Sequence, residues 1–94
     1  MMNKELTSLI DLAGAILKAA GAKEVYLFGS AATGTLREGS DIDLAVLGLP
    51  PGIFFRTMGQ VSCAINRPID LVDLDEDTPF TRYLREEGEL VRVA

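Results

Sequence analysis

Glu24-Val-Tyr-Leu-Phe28 runs directly into Gly29-Ser30, and after ten further residues the chain continues Asp41-Ile-Asp-Leu-Ala-Val-Leu47. Both apolar runs are short and rich in β-branched or aromatic residues, the composition of buried strands. The first ends at a glycine that marks a turn, and the small residues from Ser30 to Leu36 suit a short helix. Arg37-Glu-Gly-Ser40 reads as a polar loop. Side chains alternate along a strand, so Asp41 and Asp43 share one face while Ile42, Leu44 and Val46 take the other.

Outward from this pair of strands the pattern alternates. Leu6, Leu9, Ile10, Ala13, Ile16, Leu17 and Ala20 recur at helical spacing over residues 5–20, and Gly21 supplies a stop. Gly48-Leu-Pro-Pro-Gly52 marks a surface loop. A second long helix is expected over residues 53–66, with Ile53, Phe54, Met58, Val61, Ala64 and Ile65 along one side, ended by Asn66-Arg-Pro68. Ile69-Asp-Leu-Val-Asp-Leu74 reads as another strand and Asp75-Glu-Asp77 as an acidic turn. Thr78 is placed to cap a helix over residues 79–87, which Gly88 closes. Glu89-Leu-Val-Arg-Val-Ala94 alternates like a last edge strand. Helices and strands interleaved in one short chain indicate an α/β layer, in which helices cover a small twisted sheet.

With 94 residues and no linker, repeat or low-complexity segment, residues 1–94 are read as a single domain. Net charge is −5 with no basic run, so the field around the protein repels phosphate backbones and argues against nucleic acid as the principal partner. Histidine is absent, which excludes imidazole bases, Ser-His or Cys-His nucleophile pairs and histidine-rich zinc sites. Catalysis, if present, leans on carboxylates and metal. Cys63 has no partner for an internal disulfide and is read as an inert buried thiol, which suits a reducing cytoplasm. No leader-like segment and no run near ~20 apolar residues is seen, so the expectation is a soluble cytoplasmic protein without membrane contact. Apolar residues make up 48% of the chain. That surplus fits either the core of a small α/β domain or a partner surface.

Two carboxylates held side by side repel unless a cation offsets them. Magnesium suits such a site, because it prefers oxygen ligands, takes one or two carboxylates and leaves the rest of its octahedron to phosphate and water. On the later strand, Asp70, Val72 and Leu74 share one face and Ile69, Leu71 and Asp73 the other. If the two strands are neighbours, Asp70 joins Asp41 and Asp43 while Asp73 points away. Gly29-Ser30 offers an open backbone and a hydroxyl where a phosphate could approach. Taken singly, each signal is better served by an exposed strand start or an ordinary capped turn. Asp73, Asp75, Glu76 and Asp77 are read as a solvated turn, and Tyr26 and Tyr83 as packing residues.

Together, Phe28-Gly29-Ser30, the ten intervening residues and Asp41-Ile42-Asp43 resemble the G-S-x10-D-x-D signature of the DNA polymerase β-like nucleotidyltransferase superfamily. Gly34, Ser40-Asp-Ile-Asp-Leu44 and Pro68-Ile-Asp-Leu-Val-Asp-Leu74 resemble its minimal nucleotidyltransferase (MNT) branch, and the likeness spans residues 24–92. The resemblance implies an α/β (α+β) nucleotidyltransferase fold, a small mixed β-sheet flanked by helices. It implies Mg2+-dependent transfer from ATP, with two ions held by Asp41 and Asp43 and supported by Asp70, which also draws a proton from the attacking hydroxyl. Gly29 and Ser30 would contact the triphosphate of the nucleotide. Free-standing MNT chains resemble the antitoxin half of HEPN/MNT pairs, in which AMP is transferred to a tyrosine of the HEPN toxin. A HEPN-domain partner is therefore expected, in a homo- or hetero-oligomer. Many relatives read G-S-x-A-R-G where this chain has Gly29-Ser-Ala-Ala-Thr-Gly34, so Thr33 replaces an arginine and Arg37 is the residue of the same loop that could take its place. The alternative implied by that departure is an antitoxin that masks its HEPN partner without catalysis.

Overall fold

The apolar runs assemble as one four-stranded sheet. A computed structural model describes residues 4–34 and 40–94. In chain order the elements are α1 (Lys4–Ala19), β1 (Glu24–Leu27), α2 (Gly29–Thr33), β2 (Ile42–Leu47), a 3-10 turn at Pro51–Ile53, α3 (Phe54–Ile65), β3 (Ile69–Asp73), α4 (Pro79–Glu86) and β4 (Val91–Arg92). Strand order across the sheet is β3-β2-β1-β4. β2 and β3 run parallel, as strands joined by a crossover helix must, while β1 lies antiparallel to both β2 and β4. The sheet is therefore mixed.

Strand alternation sorts the residues onto two faces. Val25, Leu27, Ile42, Leu44, Val46 and Leu71 pack into one core with α1 and α3, through Leu6, Ile10, Ala13 and Leu17 of α1 and Val61 and Ile65 of α3. Ala45, Phe28 and Leu74 face the other way, where Leu84 of α4 covers them and Tyr26, Leu47 and Val72 pack alongside. The helix ends follow the signals in the sequence. Thr78 and Thr81 form a reciprocal capping box at the start of α4, with Pro79 in its first turn. Asn66 ends α3 in the left-handed conformation, with φ 52°.

Two sequence expectations are corrected. Cys63 is exposed, because α3 buries Thr57, Val61 and Ile65 and residue 63 falls on the opposite side of that stripe. Tyr83 is 53% exposed, since α4 buries Thr81 and Leu84. Tyr26 is half-buried, as expected of a packing residue, and its hydroxyl donates to Glu24. In the acidic turn, Asp75 accepts from the Gly48 N–H at 2.7 Å and Asp77 pairs with Arg82 at 2.9 Å. Among the described residues no helix is long and apolar enough to cross a membrane.

Candidate active site

β1 stops where its apolar run meets glycine. Phe28 is still extended, with φ −140°, and its N–H donates to the Asp43 carbonyl at 3.1 Å. The ladder between β1 and β2 thus persists to the residue before the turn. Gly29 then adopts φ +63° and begins α2. A Cβ at this position would overlap Asp43 Oδ2 and come within 3.3 Å of Asp43 Cγ. Glycine suits this position twice over: it accepts a backbone angle that side chains disfavour, and its missing side chain leaves the space that the Asp43 carboxylate occupies. The two halves of the sequence pattern are in direct contact.

Parallel pairing of β2 with β3 sets Asp43 opposite Asp70. Asp41 lies two residues before Asp43, immediately before β2 begins, and its charge acts on the Asp43 carboxyl. Asp41 and Asp70 are exposed and Asp43 is half-buried. Burial pushes the Asp43 carboxyl above its usual range, and the charges of Asp70 and Asp41 push it further. Asp73 takes the other face, opposite Val46, and accepts from the Asp75 N–H at 2.9 Å.

The third acid's strand also brings a residue that reading the sequence missed. Arg67, in the loop before β3, donates from Nε to the Ser40 carbonyl at 2.9 Å. It braces the peptide immediately before Asp41. Its own carbonyl accepts from Ser62 Oγ at 2.9 Å, and the Pro68 carbonyl accepts from the Ile42 N–H at 3.2 Å. A cation three residues before Asp70 was the available signal, but it read only as part of a helix terminator. Thr33 is exposed, and its hydroxyl donates back to the carbonyls of Gly29 at 3.5 Å and Ser30 at 3.3 Å. Arg37 lies outside the described residues.

The donor set consists of carboxylate oxygens, which suits a hard divalent cation such as magnesium. Among the described residues no three acidic or cysteine side chains form a ready-made metal cage. A pair of carboxylates completed by phosphate oxygens and water does not require one. Beside Gly29 and Ser30 a cleft of about 590 Å³ opens between α2 and α4. Phe80 edges against Phe28 on its wall, with ring centroids 6.0 Å apart and planes at 70°.

A family profile described as polymerase beta, nucleotidyltransferase matches residues 10–92, which includes every strand and every residue of the site. The chain belongs to this nucleotidyltransferase family. Among solved structures, a minimal nucleotidyltransferase is 27% identical with a TM-score of 0.69, over 88% of this chain and 92% of that one. A toxin-antitoxin crystallised with AMP-PNP superposes with a TM-score of 0.70 at 23% identity, covering 98% and 73% of the two chains. A complex of tri-AMPylated Shewanella oneidensis HEPN toxin with an MNT antitoxin gives a TM-score of 0.66 at 21% identity, covering 96% and 71%. At those identities the last two speak for the fold. No curated protein matches the chain.

Proposed function

We propose that this nucleotidyltransferase is the antitoxin of a HEPN/MNT pair and transfers AMP from ATP to a hydroxyl of its HEPN-type partner. The observation that carries the reading is the packing of Asp43 against Gly29 with Asp70 opposite it in register. This supports a site in which carboxylates lie beside the backbone where a triphosphate would enter. Asp41 and Asp43, with Asp70 beside them, would hold Mg2+. When bound, the metal would polarise the α-phosphate and offset charge on the leaving group.

In this reading the Ser30 hydroxyl and the open backbone at Gly29 hold the phosphate chain. The acceptor oxygen forms a bond to the α-phosphorus as the bridging P–O bond to the β-phosphate breaks, and pyrophosphate departs with that electron pair. Asp70 takes the proton of the attacking hydroxyl and releases it to water. The toxin-antitoxin solved with AMP-PNP and the AMPylated HEPN complex share the fold, and this supports the assignment of donor and partner. The second reading is a masking antitoxin without turnover. Thr33 favours it, since an exposed hydroxyl bonded to its own helix stands where relatives carry a cation.

The test is incubation with labelled ATP, Mg2+ and a HEPN-type protein encoded beside this chain. Label on the partner that disappears with Asp41→Asn supports transfer. Full neutralisation of the partner by Asp41→Asn, with no label transferred by the unaltered chain, selects the masking reading instead.

A further inference from the structure

The cleft beside Gly29 and Ser30 has more lining than a phosphate chain can use. Phe80 and Tyr83 form part of its wall, 47% and 53% exposed, and Glu87 and Glu89 stand on its rim. Large aromatic side chains left this open on a helix are surfaces without a covering group. Further phosphate is a poor occupant for this part of the cleft, because Glu87 and Glu89 make its rim acidic and, among the described residues, no Lys or Arg lines it. What fits there is flat, uncharged, apolar on its faces and rich in N–H donors at its edge. A nucleobase has those properties. The volume, about 590 Å³, lies within the range of small-ligand sites.

We infer that this cleft is the nucleobase site of the donor nucleotide, with Tyr83 and Phe80 as stacking surface and Glu87 and Glu89 accepting from the exocyclic amino group of the base. The inference rests on the proposed triphosphate contact at Gly29-Ser30 and deepens it by naming the class of base. Phe80 is held in place by its edge contact with Phe28, so the wall is attached to the same strand end that carries Gly29. An amino-bearing base such as adenine presents donors to the two carboxylates. Uracil presents a carbonyl there and meets like charge.

Calorimetric titration of the full chain in Mg2+ with inorganic tripolyphosphate, ATP and UTP tests this directly. ATP is expected to bind roughly ten-fold tighter than tripolyphosphate, the scale of one base stacked on aromatics. Tyr83→Ala should bring the two within about two-fold while leaving tripolyphosphate unchanged. UTP should bind more weakly than ATP, and the gap should shrink when Glu87→Gln and Glu89→Gln are combined. Equal affinity for ATP and tripolyphosphate on the unaltered chain overturns the base site alone, as does equal weakening of both by Tyr83→Ala. UTP binding as tightly as ATP overturns the role of the glutamates. Failure of every phosphate ligand to bind removes the triphosphate contact and the base site together.

Discussion

Gly29→Ala isolates the contact on which the site reading depends. Alanine at φ +63° carries a left-handed penalty of about 1–2 kcal/mol. For a domain of this size that lowers Tm by roughly 4–16 °C. The new methyl must also displace Asp43 Oδ2 by about 1 Å to reach ordinary van der Waals separation. Misplacing a reacting group by that distance costs on the order of 10²-fold in rate. The control is Gly48→Ala at the other end of β2, where φ is +81° and the added Cβ crowds the Cβ and Cγ of Lys23, away from the carboxylates. Both variants should lose Tm in thermal melts. Only Gly29→Ala should lose Mg·ATP binding by calorimetry and label transfer by about 10²-fold. If Gly29→Ala binds and transfers as well as Gly48→Ala does, the carboxylate contact has no functional consequence and the reasoning fails.

Asp43→Asn should raise the stability of the ligand-free protein in a pH-dependent way. The folded state holds the Asp43 proton more tightly than the unfolded chain does, so stability from this group is present at low pH and is lost as pH rises through the raised pKa. The Tm advantage of the asparagine variant should therefore grow as pH rises from the acid range to neutrality; a gap that does not change with pH refutes the electrostatic account. Thr78→Ala removes one half of the capping box and should cost about 1 kcal/mol, a Tm drop of roughly 4–8 °C, without altering Mg·ATP affinity. Leu44→Ala, at a site with 0% exposure in the larger core, should cost about 2–5 kcal/mol by denaturant titration. A loss below about 1 kcal/mol would mean that the two-faced description of the sheet is wrong.

Strand residues were the most legible part of this chain, and the reason is arithmetic. A strand has only two faces, so the choice between Asp70 and Asp73 as neighbour of Asp43 needed only counting, and the observed pairing agrees with it. Helix residues are harder, because which side is buried depends on the rotation at which the helix docks. Tyr83 and Cys63 were misjudged for that reason, although the extents of α3 and α4 were read within one or two residues. Arg67 escaped because its bond to Ser40 joins residues 27 apart. Likewise the sequence placed Gly29 at a turn but gave no sign that Asp43 would fill the space of its missing side chain.

The pinning of the chain at Phe28 and at Ser40, either side of the interval that separates Gly29-Ser30 from Asp41, bears on how this site tolerates change. Phe28, immediately before α2, is tied to Asp43, and Ser40, immediately before Asp41, is tied to Arg67. With the ends fixed from outside, the length of the segment is thermodynamically cheap to vary, since doubling a loop adds only about 0.6 kcal/mol of closure entropy. The ten-residue interval is therefore a weaker constraint than it looks in the sequence. A single residue inserted between Asp41 and Asp43 is another matter, for it would turn one carboxylate into the apolar core. Lineages of this fold should let the first interval drift and hold the second fixed.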